Sequence, residues 1–292
     1  MFKTDGKVTR KPAWLKIKLH EGAGYAQVAK LIGNNELHTI CVSGKCPNQA
    51  ECWSRGTATF MILGDICTRS CKFCATLTGK PLPVDPAEPA RVARSVFAMG
   101  LKYVVLTSVD RDDLSDGGAA HWAETIRQIR NHNPHSDIEV LIPDFDGDVA
   151  LLDVVLAARP DVVAHNVETV RELTPQVRSR ARYETSLGVI RHVARTGIPA
   201  KSGIMLGLGE TQEQVLATFD DLAEAGCRRL TIGQYLQPTA KQLSVVEYIH
   251  PDQFAWYRRQ ALKRGFTQVE SGPLVRSSYR AEQAETENKA RA

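Results

Sequence analysis

Two hydrophobic patterns alternate along most of this chain. Short runs that are apolar throughout, such as Ala58–Leu63 and Tyr103–Thr107, are followed by longer segments in which apolar residues recur at helical spacing. Strands that are apolar on both faces are typical of parallel sheets covered by helices. The pattern therefore predicts a succession of βα units and a parallel sheet with helical cover.

The predicted strands and helices follow one another in a regular order. The strands are Ala58–Leu63, Tyr103–Thr107, Asp137–Leu141, Asp161–Ala164, Pro199–Leu206, Arg229–Tyr235 and a short Gln268–Glu270. The helices are Tyr25–Ile32, Pro86–Met99, His121–Asn133, Asp148–Ala158, Tyr183–Thr196, Thr211–Ala225 and Pro251–Arg264. About six βα units predict an α/β fold, a partial (β/α)6 TIM-like barrel with N- and C-terminal extensions.

The boundaries of these elements predict three regions. We expect an N-terminal extension over residues 1–55, the partial barrel over 56–272 and a C-terminal segment over 273–292. Residues 1–24 are interpreted as an irregular arm with solvated charges. The charged tail from 281 to 292 has few large apolar residues, which predicts fraying.

Composition narrows the class of protein only slightly. Of 292 residues, 43% are hydrophobic, and 37 basic against 33 acidic residues give a net charge of +4, which permits an acidic protein partner. The basic residues are spread along the chain without an aromatic-interleaved stripe, so nucleic-acid binding is not predicted. No apolar run approaches a membrane span and no leader pattern opens the sequence. Six of seven cysteines stand in two tight groups, which predicts metal binding in a reducing compartment, the cytoplasm.

One group of cysteines follows the first barrel strand. Cys67, Cys71 and Cys74 have a C-x3-C-x2-C spacing on a short loop. Three thiolates can hold three irons of a four-iron cluster and leave the fourth iron open to a substrate or cofactor. Structural zinc is the alternative, but zinc ligands usually come in C-x2-C pairs, and no fourth Cys or His follows at a suitable distance. The spacing therefore indicates an iron–sulfur cluster.

A second group precedes that strand. Cys41, Cys46 and Cys52 stand at C-x4-C-x5-C, and Gly44 and Pro47 predict a loop here. Three further thiolates make a second candidate metal site. A structural zinc ion remains the main alternative for it, although a fourth ligand is missing from the loop.

Polar residues follow several predicted strands. Catalytic residues of parallel α/β barrels lie at the carboxyl ends of the strands, so these residues are candidates as a set. For any single one, a helix cap or a solvated loop is an equally good interpretation. Cys227 lies outside both cysteine groups and is interpreted as a packing residue. The candidates are Thr107, Ser108, Asp110, Arg111, Asp112, His165, Asn166, Glu168, Lys201, Ser202, Glu210, Gln234, Tyr235 and Gln237.

The first cysteine motif, with Phe73 before its last cysteine, resembles that of the radical S-adenosylmethionine (SAM) superfamily. This resemblance implies an open iron that binds the amino and carboxylate groups of SAM. Reduction then splits the sulfonium and gives a 5′-deoxyadenosyl radical that takes hydrogen from unactivated carbon. Gly203–Glu210 is similar to the superfamily's G-x-I-x-G-x-x-E element, with Met205 at the Ile position.

Together, both cysteine motifs and R-S-S-Y (Arg276–Tyr279) resemble the lipoyl synthase family over most of residues 11–280. The similarity includes Lys11–Leu15, Thr107–Leu114, His165–Thr169, Lys201–Glu210 and Thr231–Pro238. It implies sulfur insertion at C6 and C8 of a protein-bound octanoyl group, with one SAM used for each C–H bond broken. Neither carbon is acidic, so acid–base catalysis could not activate it.

The resemblance also implies roles for individual residues. Cys67, Cys71 and Cys74 would hold the SAM-cleaving [4Fe–4S] cluster. Cys41, Cys46 and Cys52, with Ser278 as fourth ligand, would hold an auxiliary [4Fe–4S] cluster that donates the sulfur. The implied SAM contacts are Phe73, Ser108, Asn166, Glu168 and Arg178.

Three kinds of partner are implied as well. The first is an octanoylated carrier domain, either a 2-oxoacid dehydrogenase E2 subunit or the glycine cleavage H protein. The second is an electron donor such as ferredoxin or flavodoxin. The third is an iron–sulfur carrier that rebuilds the auxiliary cluster.

Three other functions remain open on the sequence. One is a different radical SAM enzyme with an auxiliary cluster that acts on a free small molecule. Another is an electron-transfer or metal-storage protein, although a pure carrier has no use for an open iron. The last is a zinc-stabilised nucleic-acid-binding module, which the scattered basic residues disfavour.

Overall fold

A computed structural model of the protein describes residues 10–16, 23–279 and 281. The strands are β1 (His38–Thr39), β2 (Thr59–Ile62), β3 (Ile66–Cys67), β4 (Leu77–Thr78), β5 (Tyr103–Ser108), β6 (Asp137–Leu141), β7 (Val162–Ala164), β8 (Ala200–Leu206), β9 (Arg229–Gln234) and β10 (Gln268–Gly272). The α-helices are α1 (Ala23–Asn34), α2 (Ile40–Ser43), α3 (Gln49–Ser54), α4 (Glu88–Ala98), α5 (Ala119–His132), α6 (Val149–Leu156), α7 (Thr174–Val177), α8 (Tyr183–Arg195), α9 (Gln212–Glu224) and α10 (Pro251–Lys263).

The main sheet has eight strands in the order β1-β2-β5-β6-β7-β8-β9-β10. From β2 to β10 every neighbouring pair is parallel, whereas β1 joins β2 in antiparallel orientation. Because β1 and β10 stand at opposite ends of the order, the sheet does not close. The prediction of a partial α/β barrel is therefore confirmed.

Helical cover explains why the strands are apolar on both faces. Trp122 and Ile126 of α5 and Phe219 of α9 are fully buried against the sheet. The start of α9 is fixed by a capping box, in which Thr211 and Gln214 satisfy each other's backbone N–H groups. None of the helices in the described ranges has the length and apolar composition needed to cross a membrane.

The cysteine segment before β2 differs from the prediction. It contains the short helices α2 and α3 instead of being a continuous loop. The Thr39 side chain accepts a hydrogen bond from Val42 N at 3.4 Å and so caps α2, while Gly44 and Pro47 lie between the two helices. The turn residues thus separate two helices of four and six residues, which are too short to show a helical period in the sequence.

The predicted arm and tail fall mostly outside the described residues. Within the arm, Ala13–Leu15 forms one 3-10 turn with Leu15 buried. The rings of Trp14 and His250 pack edge to face, with their centroids 5.0 Å apart. Of the predicted frayed tail only Ala281 is described, and it is buried.

A charged network crosses three central strands. Lys201 Nζ of β8 lies 2.7 Å from Glu139 Oε1 of β6, and both side chains are buried. Tyr103 of β5 donates its hydroxyl proton to Glu139 Oε2 at 2.6 Å. Burying both charges is tolerable because each is paired and hydrogen-bonded.

The C-terminal segment folds back over the N-terminal cysteine segment. Asn48 donates a 2.7 Å hydrogen bond to the Leu274 carbonyl, and Thr59 donates a 2.8 Å hydrogen bond to Ser278 Oγ. The Tyr279 hydroxyl donates to Glu51 at 3.1 Å. At Gly233 a Cβ would lie 2.3 Å from the Val275 carbonyl oxygen, so only glycine lets the segment come this close to β9.

Candidate active site

One cavity of about 560 Å³ lies at the carboxyl ends of the barrel strands. This volume is in the range typical of small-molecule and cofactor sites. Every implied SAM contact lines it, and so do cysteines of both groups and Ser278. The residues on its wall include Cys41, Cys46, Cys67, Cys71, Cys74, Phe73, Ser108, Asn166, Glu168, Arg178 and Ser278.

The first cysteine loop is tied to three parts of the chain. Cys67 Sγ accepts hydrogen bonds from its own loop, at Arg69 N (3.4 Å), and from the β5 end, at Asp110 N (3.3 Å). Between the other two cysteines, Lys72 N donates to the Val177 carbonyl of α7 at 2.9 Å, and Leu243 N donates to the Lys72 carbonyl at 3.0 Å. These bonds hold the three thiols on one short turn facing the cavity.

Arg69, between the first two cysteines, is buried inside a group of carboxylates. Its guanidinium lies 2.7 Å from Asp112, 2.8 Å from Asp144, 3.5 Å from Asp110 and 3.6 Å from Asp146. Burial alone would lower the pKa of Arg69, but the bond to Asp112 and the other carboxylates raise it. The loop is therefore anchored electrostatically to the ends of β5 and β6.

The second cysteine group surrounds a smaller cavity of about 40 Å³. Cys41 lies on α2 and Cys52 on α3, with Cys46 between them. The remaining wall comes partly from the C-terminal segment, through Arg276 and Ser278. The structure thus places Ser278 beside the three cysteines, across more than 200 residues of sequence.

Burial raises the pKa of several thiols in the two groups. It raises the pKa of Cys52 and of Cys67 to about 12, and it raises the pKa of Cys41, Cys46 and Cys74 as well. Without metal these thiols are protonated at neutral pH. Metal ligation deprotonates a coordinating thiol, so metal binding here is coupled to proton release.

The arrangement of donors fits a cluster better than a single ion. Among the described residues no three His, Cys, Asp or Glu side chains are placed to hold one metal ion. Tetrahedral zinc needs four donors at about 2.0–2.3 Å from one point. In a four-iron cluster each thiolate binds its own iron, so the donors stand around a volume. Three cysteines around a small cavity match the second geometry.

Three of the implied SAM contacts carry buried polar atoms without a partner. These atoms are Ser108 Oγ, Asn166 Oδ1 and Arg178 Nε. Buried polar atoms nearly always form hydrogen bonds, so unsatisfied ones on a cavity wall indicate a ligand that supplies the missing partners. A polar molecule such as SAM, with carboxylate, amino and hydroxyl groups, fits these residues.

The neighbours of Asn166 set the charge of this wall. Burial raises the pKa of Glu168, although the nearby Arg178 opposes the shift. Burial and Arg178 lower the pKa of His165 to about 4, so this imidazole is neutral at pH 7. His165 Nε2 and Arg178 Nη1 both contact Ser186 Oγ, at 3.0 and 2.8 Å. Asn166 also donates to Ser277 Oγ at 2.7 Å.

Not every strand-end candidate reaches the cavity. Thr107, Asp110, His165, Gln234, Tyr235 and Gln237 line it, but Arg111, Asp112, Lys201, Ser202 and Glu210 do not. Arg111 pairs with Asp113, and Glu210 accepts hydrogen bonds from the backbone of Gly207 and Leu208. Position at a strand end is therefore not enough to place a residue in the cavity, because some side chains at these ends hold the loops in place instead.

Two arginines and one threonine of the site were missed from the sequence. Arg69 stands inside the cysteine motif and Arg276 inside R-S-S-Y, so both had a positional signal. Thr59, on β2, has none, since its contact with Ser278 depends on how the chain closes. Cys227 is fully buried and donates to the Arg229 carbonyl at 3.2 Å, in agreement with a packing role.

Solved structures support the fold. The crystal structure of methylornithine synthase (PylB) aligns with a TM-score of 0.55 and 12% identity, covering 92% of this chain and 94% of that one. The hydrogenase maturase HydG from Carboxydothermus hydrogenoformans aligns with a TM-score of 0.52 and 13% identity, covering 91% and 78%. At such low identities the likeness concerns the fold alone.

Sequence comparisons identify the family. The model of the radical SAM superfamily matches residues 61–233. A lipoyl synthase of Parabacteroides distasonis is 59% identical over 273 residues, covering 94% of this chain and 97% of the relative. One of Bacteroides fragilis is 60% identical over 278 residues, covering 95% and 96%. With both cysteine groups at one cavity, this chain belongs to the lipoyl synthase family of radical SAM enzymes.

Proposed function

We propose that the chain divides the sulfur insertion of its family between two sites on one cavity. The family uses SAM and two [4Fe–4S] clusters. Cys67, Cys71 and Cys74 hold the SAM-cleaving cluster. The auxiliary cluster, which donates sulfur, is held by Cys41, Cys46, Cys52 and Ser278. The observation that carries this assignment is the shared cavity of about 560 Å³, on whose wall Cys41 and Cys46 stand together with all three cysteines of the other group.

The protein's own residues bind and orient SAM. The unsatisfied atoms of Ser108, Asn166 and Arg178 are available to its polar groups, and Glu168 and the Phe73 segment face the same space. When bound, SAM supplies the hydrogen-abstracting chemistry that unactivated carbon requires. The apolar strands and the C-terminal segment enclose the site and exclude water from it.

The three regions then have separate tasks. Residues 1–55 bring the auxiliary cysteines, residues 56–272 form the barrel that binds SAM, and residues 273–292 bring Ser278. The hydrogen bond from Asn48 to Leu274 joins the first region to the last, and the bond from Thr59 to Ser278 joins the last region to the barrel. Closure therefore completes the auxiliary site and encloses the cavity in one event.

The substrate is an octanoylated carrier domain, of a 2-oxoacid dehydrogenase E2 subunit or of the glycine cleavage H protein. Ferredoxin or flavodoxin supplies electrons, and an iron–sulfur carrier rebuilds the auxiliary cluster. All seven cysteines are free thiols, which suits work in the reducing cytoplasm.

A pair of matched triple variants tests the assignment. Replacing Cys67, Cys71 and Cys74 with Ala abolishes 5′-deoxyadenosine formation. Replacing Cys41, Cys46 and Cys52 with Ala preserves SAM cleavage but stops sulfur transfer to an octanoylated carrier, followed by mass spectrometry. Each reconstituted variant retains about four irons, compared with about eight in the unmodified chain.

Two results would contradict this division. One is SAM cleavage by the first variant, since the open iron would then lie elsewhere. The other is lipoyl product at the normal rate from the second variant, which would remove the auxiliary cluster as sulfur donor.

A further inference from the structure

Arg276 is a cation on the wall of both cavities. Among the described residues it forms no ion pair, and its guanidinium makes one hydrogen bond, from Nη1 to the Val275 carbonyl at 2.6 Å. Arg69, on the wall of the larger cavity, is by contrast neutralised by four aspartates. Arg276 therefore carries a charge that no carboxylate of the described residues compensates.

Arg276 and the thiol of Cys46 line the same small cavity, where the charge of each acts on the other. A guanidinium stays protonated in proteins, so its charge must be met by a negative group or by water. Cys41, Cys46 and Cys52 become thiolates when they bind metal, which places three negative charges around a cavity of about 40 Å³. The positive charge of Arg276 faces that negative set.

The backbone holds Arg276 at this position. Its neighbours are fixed on both sides, by the bond from Asn48 to Leu274 and the bond from Thr59 to Ser278. A Cβ on Gly233 would lie 3.5 Å from Arg276 Nη1, so the guanidinium passes directly over β9. Arg276 consequently reaches the auxiliary site together with Ser278.

We propose that Arg276 is the counter-charge of the auxiliary cluster, stabilising its anionic ligands and raising its reduction potential. Net charge and hydrogen bonds at the cluster are among the factors that set such potentials. The proposal rests on the assignment of Cys41, Cys46 and Cys52 to that cluster. It makes Arg276 a positioning and electrostatic residue for sulfur donation.

The test compares Arg276→Gln, Arg276→Lys and Arg55→Gln in the anaerobically reconstituted full chain. Arg55 lies on the same small cavity but is already paired with Glu51 at 3.7 Å, so its removal is the matched charge control. The readouts are the reduction potential of each cluster, by redox titration with electron paramagnetic resonance, and the rate of iron release to a chelator.

In Arg276→Gln the auxiliary potential moves to more negative values and its iron is released faster, while the SAM-cleaving cluster keeps its potential. Arg276→Lys retains most of the unmodified values because it keeps the charge. Arg55→Gln shifts both quantities less than Arg276→Gln, since Arg55 is already paired and partly exposed. The unchanged SAM-cleaving cluster also shows that each variant is folded.

Two outcomes would overturn the proposal. One is an auxiliary cluster with unchanged potential and iron release in Arg276→Gln. The other is weakened SAM binding in equilibrium dialysis with the auxiliary cluster unaffected, which would assign Arg276 to the cofactor's carboxylate. Iron content separates this from the wider assignment: about eight irons in the unmodified chain support two clusters, and about four would overturn both ideas.

Discussion

The substitution Gly233→Ala should push the C-terminal segment away from the barrel without replacing any residue proposed to bind a cluster. Gly233 lies in β9, and its neighbour across the sheet is Gly272 of β10. A Cβ at position 233 would stand 2.3 Å from the Val275 carbonyl oxygen, a backbone atom that cannot rotate away. A Cβ at position 272 would meet only the Val275 methyl Cγ2, at 3.5 Å. The register pair therefore provides a perturbation and its control.

The size of the displacement follows from these distances. Ordinary contact begins at 3.4 Å, so the Val275 carbonyl must retreat by about 1 Å. Metal–ligand distances tolerate only about 0.2 Å, and Ser278 follows three residues later. The shift thus exceeds what the proposed coordination by Ser278 can absorb. Overpacking of this kind also lowers the free energy of unfolding by about 1–3 kcal/mol.

The assay follows two reactions in one incubation. At saturating SAM, the expected result for Gly233→Ala is normal 5′-deoxyadenosine formation in the first turnover with impaired sulfur transfer to the octanoylated carrier. Denaturant unfolding should show the loss of stability, whereas Gly272→Ala should match the unmodified protein in both measurements. Equal lipoyl product and equal stability in the two variants would refute this reasoning. The close approach of Val275 to position 233 would then matter neither for sulfur transfer nor for the free energy of unfolding.

Substitutions of Ser278, Ser277, Arg69 and Lys201 test other contacts. Ser278→Ala should keep SAM cleavage but impair sulfur transfer, whereas Ser277→Ala should be milder and raise the KM for SAM, since Ser277 contacts Asn166; identical kinetic profiles would contradict this. Arg69→Gln should lower iron content toward about four per chain and slow SAM cleavage. Arg69→Lys should not restore iron content or SAM cleavage, because an ammonium group cannot reproduce the planar, forked hydrogen bonds of a guanidinium. Full iron content in either variant would argue against the anchoring role of Arg69. Lys201→Met should cost about 3–5 kcal/mol in denaturant unfolding by leaving Glu139 unpaired. The double variant with Glu139→Gln should recover part of this loss, and an unchanged midpoint in the single variant would show that the buried pair is dispensable.

The fold could be predicted because its longer strands and helices have recognisable local patterns of apolar and polar residues. Tyr103–Thr107 and Pro199–Leu206 are apolar throughout, and the structure places strands at both, Tyr103–Ser108 and Ala200–Leu206. The one-turn helices α2, α3 and α7 were not predicted, since four to six residues cannot display a helical period. The length of an element therefore determined whether it could be predicted from the sequence.

Site residues divide in the same way. Cys67, Cys71 and Cys74 are neighbours in sequence, so their grouping at the cavity needed no knowledge of the fold. The contact between Thr59 and Ser278 joins residues 219 apart, and no local pattern encodes it. Ser278 itself came only from the family resemblance. The buried ion pair of Glu139 could not be predicted, because a single polar residue within a strand is expected to face solvent until the neighbouring strands are known.

Because the C-terminal segment folds back over the N-terminal cysteines, the order of synthesis determines when this part of the structure can form. Cys52 leaves the ribosome 226 residues before Ser278, a delay of about 10–45 s at typical rates of bacterial and eukaryotic synthesis. Throughout that interval the three cysteines are present without the serine, Arg276 or the hydrogen bonds that cover them. Under the proposed assignment, the auxiliary site is complete only after this segment has been made, and a product that ends before Ser278 lacks one of its four proposed ligands.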